Sequence, residues 1–206
     1  MKKAFTLVEM LVVVGIIAAL AGASLVGYQG VVRKAQRAKG QELVSEVATA
    51  LTAVLQKEGS WPRTILSEGA SGNGEMTPRV GAALARRGAM SLTYKQTTDD
   101  QGITRYELSG LDQCGIVSPW AHDTIKRLAA RGSVSLSAKV PSGGTIQDHR
   151  LRFAIDDDMD GIVRASPEGY GTVNVRASAV VWCAGMDGKF GTKDDIRSWA
   201  KGQEVR

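Results

Sequence analysis

Two short stretches hold the side chains best placed to do chemistry. In Asp156-Asp157-Asp158-Met159-Asp160-Gly161 the carboxylates recur at alternate positions and end on a glycine. Alternate carboxylates converge on a hard cation and the glycine permits a sharp turn, so Asp156, Asp158 and Asp160 are candidate calcium ligands. The position where an EF-hand has its bidentate glutamate is Pro167, and no helical pattern flanks the stretch, which excludes an EF-hand. The other reading is a solvated acidic turn between two strands. The second stretch is Ala184-Gly185-Met186-Asp187-Gly188-Lys189-Phe190-Gly191-Thr192-Lys193-Asp194-Asp195-Ile196. Its glycines let the backbone turn carbonyls inward while its aspartates supply charge, a second candidate cation loop. Against it stands a Gly/Asp-rich hairpin held without metal.

Catalytic patterns are missing. His122 and His149 are the only histidines. His122-Asp123 has no G-x-S-x-G elbow to serve. Gly143-Gly144 and the glycines from Gly69 to Gly74 lack the lysine and hydroxyl residue of a phosphate loop. The expectation is that the chain is not an enzyme. Cys114 and Cys183 fit no C-x-x-C spacing. Outside the cytoplasm they are free to pair as one disulfide, and two separately buried thiols are the alternative. The net charge of +5 is scattered, with no basic stripe interleaved with aromatics, so no nucleic-acid partner is expected.

Glu9 is the remaining oddity. It is the one charge in the apolar run from Phe5 to Tyr28, behind Met1-Lys2-Lys3-Ala4. As a helix the run is roughly 36 Å long, enough to cross a bilayer. A carboxylate within a span costs up to a few kcal/mol. A secretory signal peptide cut near Ala19-Leu20-Ala21 or Ala21-Gly22-Ala23 would leave Glu9 inside its apolar region, and a plain anchor leaves it equally unexplained.

KKAFTLVEML resembles the N-terminus of type IV prepilins and type II secretion pseudopilins. The resemblance implies that a prepilin peptidase cuts between Ala4 and Phe5 and that the new N-terminus is methylated. It also implies that Glu9 neutralises the ammonium of Phe5, its own or a neighbour's, when subunits assemble. A carboxylate buried in hydrocarbon needs such a partner. Two positions depart from the family pattern: Ala4 replaces the usual glycine before the cut, and Val26 stands where many members have proline. Gly22, Gly27 and Gly30 offer a looser helix instead. The segment from Ala184 to Ile196, with Trp199 beyond it, is similar to the C-terminal calcium loop of the major type II pseudopilins. That likeness implies Asp187, Asp194 and Asp195 as side-chain ligands and a structural calcium as cofactor.

The elements that must position these residues follow from periodicity. Val31, Ala35, Ala38, Leu43, Val47, Ala50, Leu51, Val54 and Leu55 recur at helical spacing, and Gly59 with Trp61-Pro62 marks the stop. One helix from about Phe5 to Glu58 is expected, with Gly40 a flaw inside it. The stretch from Ser60 to Pro78 reads as a loop and Arg79–Arg87 as a short helix ended by Gly88. Strands are predicted at Met90–Tyr94, Ile103–Leu108, Ser133–Val140, Leu151–Ile155 and Thr172–Cys183. A turn at Asp99–Gly102 and a helix over Thr124–Arg131 complete the pattern. The fold class is α+β: a long N-terminal helix packed on a mainly antiparallel sheet with a loop-rich C-terminal region. The organisation is leader 1–4, transmembrane or filament-core helix 5–28, amphipathic continuation 29–58 and a globular periplasmic domain 59–206.

The resemblance implies a structural subunit of a type II secretion pseudopilus, a single-pass bacterial inner-membrane protein with its N-terminus in the cytoplasm, later part of a periplasmic filament. The implied partners are further copies in a helical homo-oligomer, other pseudopilins, the prepilin peptidase, the inner-membrane assembly platform and membrane lipid. A type IV pilin or minor pilin serving adhesion, motility or DNA uptake is the alternative. An exported calcium-binding or hydrolytic domain behind a signal peptide is a second.

Overall fold

The structure, a computed structural model, describes residues 7–100, 102, 104–109, 116–121 and 149–205, with backbone alone at 21–27, 29, 105, 109 and 201. The leader and the Ala4/Phe5 junction therefore lie outside the described residues, as do Cys114, the helix expected at Thr124–Arg131 and the strand expected at Ser133–Val140. The chain divides into two units, Met1–Ala38 and Lys39–Arg206.

One continuous helix, α1 (Leu7–Glu58), runs through that boundary, as the apolar and then periodic sequence predicts. Among the described residues of the first unit it buries none of its large apolar side chains: Leu7 is 81 % exposed, Ile17 60 % and Leu20 63 %. Among the described residues no helix is long and apolar enough to cross a membrane.

In the second unit α1 becomes one-sided. Val44, Val47, Ala50, Leu51 and Val54 are buried, a helical stripe, while Leu43 and Leu55 flank it half-buried. Gly40 is a contact, not a flaw: a Cβ there would fall 2.6 Å from Ile196 Cδ1. The helix stops at Gly59, whose φ of +68° favours glycine and whose N–H donates to Leu55 O at 2.8 Å.

The expected loop at Ser60–Pro78 holds regular structure. It contains α2 (Arg63–Gly69) and the short strand β1 (Gly74–Glu75). Helix α3 (Pro78–Arg86) starts on Thr77, whose hydroxyl accepts the Val80 N–H. The first predicted strand is shifted: β2 (Thr93–Thr98) pairs antiparallel with β3 (Thr104–Ser109) across the expected turn. The stretch Thr172–Cys183 is two strands, β6 (Val173–Val175) and β7 (Ala179–Cys183). With β4 (Arg152–Ile155), β5 (Val163–Ala165), β8 (Ile196–Arg197) and β9 (Glu204–Val205) they form two sheets, ordered β1-β4-β7-β8 and β5-β6-β9, antiparallel throughout.

The strand period of two sorts β4 and β7 between two cores. Phe153, Ile155, Ala179, Val181 and Cys183 join the core that includes the α1 stripe. Ala154, Val180 and Trp182 face a second core with Val163, Val175 and Trp199, where the Trp182 and Trp199 rings meet edge to face at 6.0 Å. A buried charge group braces β1 against β4: Arg152 Nη1 lies 2.7 Å and Arg150 Nη1 3.6 Å from the Glu75 carboxylate. Burial pulls the Arg150 guanidinium below its usual range, with Glu75 opposing.

Candidate functional site

The first acidic loop leaves β4 at Asp156. The main chain there is pinned twice: the Asp156 N–H donates to Ser178 O at 2.9 Å, and Trp61 Nε1 donates to Asp156 O at 2.6 Å. Asp156 is 4 % exposed. Its carboxylate accepts the N–H groups of Asp160 at 3.1 Å and Gly161 at 2.8 Å. Burial pushes its pKa up, and those two amides only partly offset the rise. The structure brings Asp156, Asp158 and Asp160 together, with one oxygen from each within 4.8 Å of the others. It also supplies a cation. Arg164 on β5 donates Nη1 to Asp158 Oδ2 at 3.0 Å and Nη2 to Asp160 Oδ2 at 2.5 Å. The Arg164 bond leads in holding the Asp160 pKa below the usual range. A metal drawing on all three carboxylates would compete with this guanidinium for Asp158 and Asp160. Arg164 follows Asp160 by four residues and Asp158 by six, so the turn after Asp160 brings it back onto the aspartates.

The second loop joins β7 to β8. Asp187, Asp194 and Asp195 do not form a convergent trio of the Asp156–Asp160 kind. They are linked through the backbone and Thr192. The Asp187 N–H donates to Asp194 Oδ2 at 3.3 Å, Lys189 N–H to Asp187 Oδ1 at 2.9 Å, and Gly191 N–H to Asp195 Oδ2 at 2.8 Å. Thr192 Oγ1 has one proton to give and lies 2.5 Å from Asp194 Oδ1 against 3.4 Å from Asp195 Oδ1, so the bond goes to Asp194. Burial raises the Asp194 pKa, but the Thr192 hydroxyl and the Asp187, Asp194 and Met186 amides outweigh it and leave it low. At Asp195 burial wins over the Gly191 and Thr192 amides and the pKa is raised. A Cβ on Gly185 would fall 2.2 Å from Asp194 Oδ2, so only glycine lets that carboxylate tuck beneath the chain. Oxygen-only donors around such a cradle fit a hard cation in kind.

This loop is fastened from outside by the turn at Glu168–Tyr170. The Tyr170 hydroxyl donates to Thr192 O, and the Arg197 guanidinium lies 4.0 Å over the Tyr170 ring. Gly169 and Gly191 touch: a Cβ on Gly191 would stand 2.9 Å from Glu168 O. Nothing in the sequence links these glycines, since the contact depends on the tertiary fold.

Cys183 is a buried free thiol, and Cys114, its partner in the expected disulfide, lies outside the described residues. Its pKa is pushed up to about 12, by burial first and by the nearby Asp195 charge second, which makes it unreactive. Glu9 stands exposed on α1.

Comparison with known proteins bears on the N-terminus and on the whole chain. Residues 1–25 match the prokaryotic N-terminal methylation motif. The type IV major pilin protein PilE of Neisseria gonorrhoeae is 24 % identical over 163 residues, 78 % of this chain and 97 % of that protein. The fimbrial protein EcpC of Eikenella corrodens is 30 % identical over 105 residues, 50 % of this chain and 69 % of the relative. No solved structure matches significantly. A methylation-type N-terminus leading into a long helix, followed by an antiparallel α+β body, defines a class of filament-forming exported proteins. The chain belongs to the type IV pilin and pseudopilin family.

Proposed function

We propose that the protein is a structural subunit of a type II secretion pseudopilus. It is inserted in the inner membrane by the segment 5–28, cut before Phe5, methylated, and drawn by the assembly platform into a helical fibre with copies of itself and other pseudopilins. Within the fibre Glu9 pairs with the ammonium of Phe5, its own or a neighbour's, which neutralises a charge in an apolar surround. The observation that carries the secretion reading is the loop from Ala184 to Ile196. Its glycine and aspartate spacing resembles that of the major pseudopilins, and a Cβ on Gly185 would fall against Asp194. Asp187, Asp194 and Asp195 would hold a calcium ion there, which would supply cross-linking charge to the loop. A type IV pilin is the second reading, supported by the alignment with PilE over nearly all of that protein.

Deletion of the gene in its native host separates them. On the secretion reading, exported enzymes accumulate in the periplasm while surface fibres persist. Loss of surface fibres with secretion intact overturns it in favour of the pilin. Mass spectrometry of the purified protein should show a chain starting at N-methyl-Phe5. A start near Ser24 identifies a signal peptide and removes both readings.

A further inference from the structure

Arg33, Lys34 and Arg37 stand exposed on α1 within the first unit. At 3.6 residues per turn they share an arc of about 100°. No ion pair joins any of them to an acid among the described residues. The sequence has no aspartate or glutamate between Glu9 and Glu42, so three like charges crowd one face with no local counter-charge. What precedes them is an exposed apolar face, Leu7 to Leu20, and then Tyr28, 71 % exposed. Apolar side chains, an amphipathic ring and cations, in that order along one helix, match the sequence of environments at a membrane surface: hydrocarbon, interface, phosphate. From Tyr28 the axis rises by roughly 8 Å to Arg33 and 14 Å to Arg37, within reach of lipid headgroups for long side chains that lean back toward the helix N-terminus.

Topology gives no reason for these charges. With Lys2 and Lys3 in the cytoplasm they lie on the opposite side, where the tendency of cations to stay inside would disfavour them. We propose that Arg33, Lys34 and Arg37 form a binding site for anionic phospholipid phosphates on the leaflet opposite the side of Lys2 and Lys3. The two guanidiniums take phosphate oxygens in paired hydrogen bonds, and the lysine adds a point charge. The site holds the helix at a fixed depth until it is extracted. This inference rests on the reading of residues 5–28 as a membrane span.

The test reconstitutes the full chain in vesicles of phosphatidylcholine mixed with an equal amount of phosphatidylglycerol, and measures the lipids that stay bound after detergent extraction. Wild type should retain phosphatidylglycerol over phosphatidylcholine by on the order of tenfold, a preference that weakens as salt is added. R33Q/K34Q/R37Q should retain both lipids equally, with helicity and membrane insertion unchanged, and R33K/R37K should keep the preference. Equal retention by an inserted wild-type chain overturns the lipid site and leaves the membrane reading standing. An unchanged preference in R33Q/K34Q/R37Q also overturns it. So does a triple variant whose only defect is self-association in neutral lipid, which assigns the cations to the acids of a second copy. Failure of wild type to insert in any vesicle removes the membrane reading itself.

Discussion

Thr192 shows how much one hydroxyl decides in the C-terminal loop. Its bond to Asp194 is the leading influence holding that carboxylate's pKa low. A folded-state pKa below the unfolded value adds stability above the unfolded pKa, and that stability is lost as pH falls through the folded one. Thr192→Val should therefore destabilise the protein near neutral pH by about 0.5–1 kcal/mol, a range kept low by the partial exposure of the pair. The deficit should vanish in denaturant titrations run well below pH 4; a deficit independent of pH would mean that the hydroxyl acts through packing. The proposed calcium is a claim at the same scale. Saturating calcium should raise the melting temperature of the detergent-solubilised chain by roughly 5–10 °C, and a chelator should reverse the rise. Asp187→Ala/Asp195→Ala should abolish the effect while Asp158→Ala/Asp160→Ala preserves it. The reverse pattern would move the ion to the loop that Arg164 now neutralises.

Gly191 governs the mating of two elements. Its φ of +83° disfavours any side chain, and the Glu168 carbonyl already occupies the space a Cβ would need. Gly191→Ala should cost about 2 kcal/mol and lower the melting temperature by roughly 4–8 °C. A substitution at this exposed-looking turn with no effect on melting would show the Gly169 contact to be loose. The sequence announced some elements and hid others for physical reasons. Helix α1, its stop at Gly59, α3, β3 and β4 each carry their own period or punctuation. Helix α2 did not, because its seven residues lie among Gly, Ser, Thr and Pro and are too few to show a period. The break between β6 and β7 was equally hidden. Apolar alternation continues across it, and what diverts the chain is remote: Ser178 O takes the Asp156 N–H and Gln203 O takes the Arg176 N–H. At the acidic sites the aspartates were readable from spacing, whereas Arg164 meets Asp158 and Asp160 only once the turn after them is folded, and Tyr170 and Gly169 reach the second loop through a tertiary contact.

For the molecule as a whole, the decisive charge is Glu9. Glu9→Ala should leave membrane insertion intact, since it removes an unfavourable charge from an apolar run, yet abolish fibres seen by electron microscopy of cells overproducing the subunit. Fibres of normal number and length from that variant would refute the pairing role. The strand order carries a separate consequence, one of time. The sheet β1-β4-β7-β8 pairs Gly74 with Phe153 and then waits for Val181 and Ile196; Phe153, Val181 and Ile196 share one core with the stripe from Val44 to Val54. Contacts so distant in sequence fold slowly, in milliseconds to seconds, whereas the helix that needs covering forms in about a microsecond. A chain synthesised N-terminus first therefore presents a sticky, finished helix long before β8 exists to complete its shelter. The interval between synthesis and folding is thus when this subunit is most open to aggregation and proteolysis, and most in need of a chaperone.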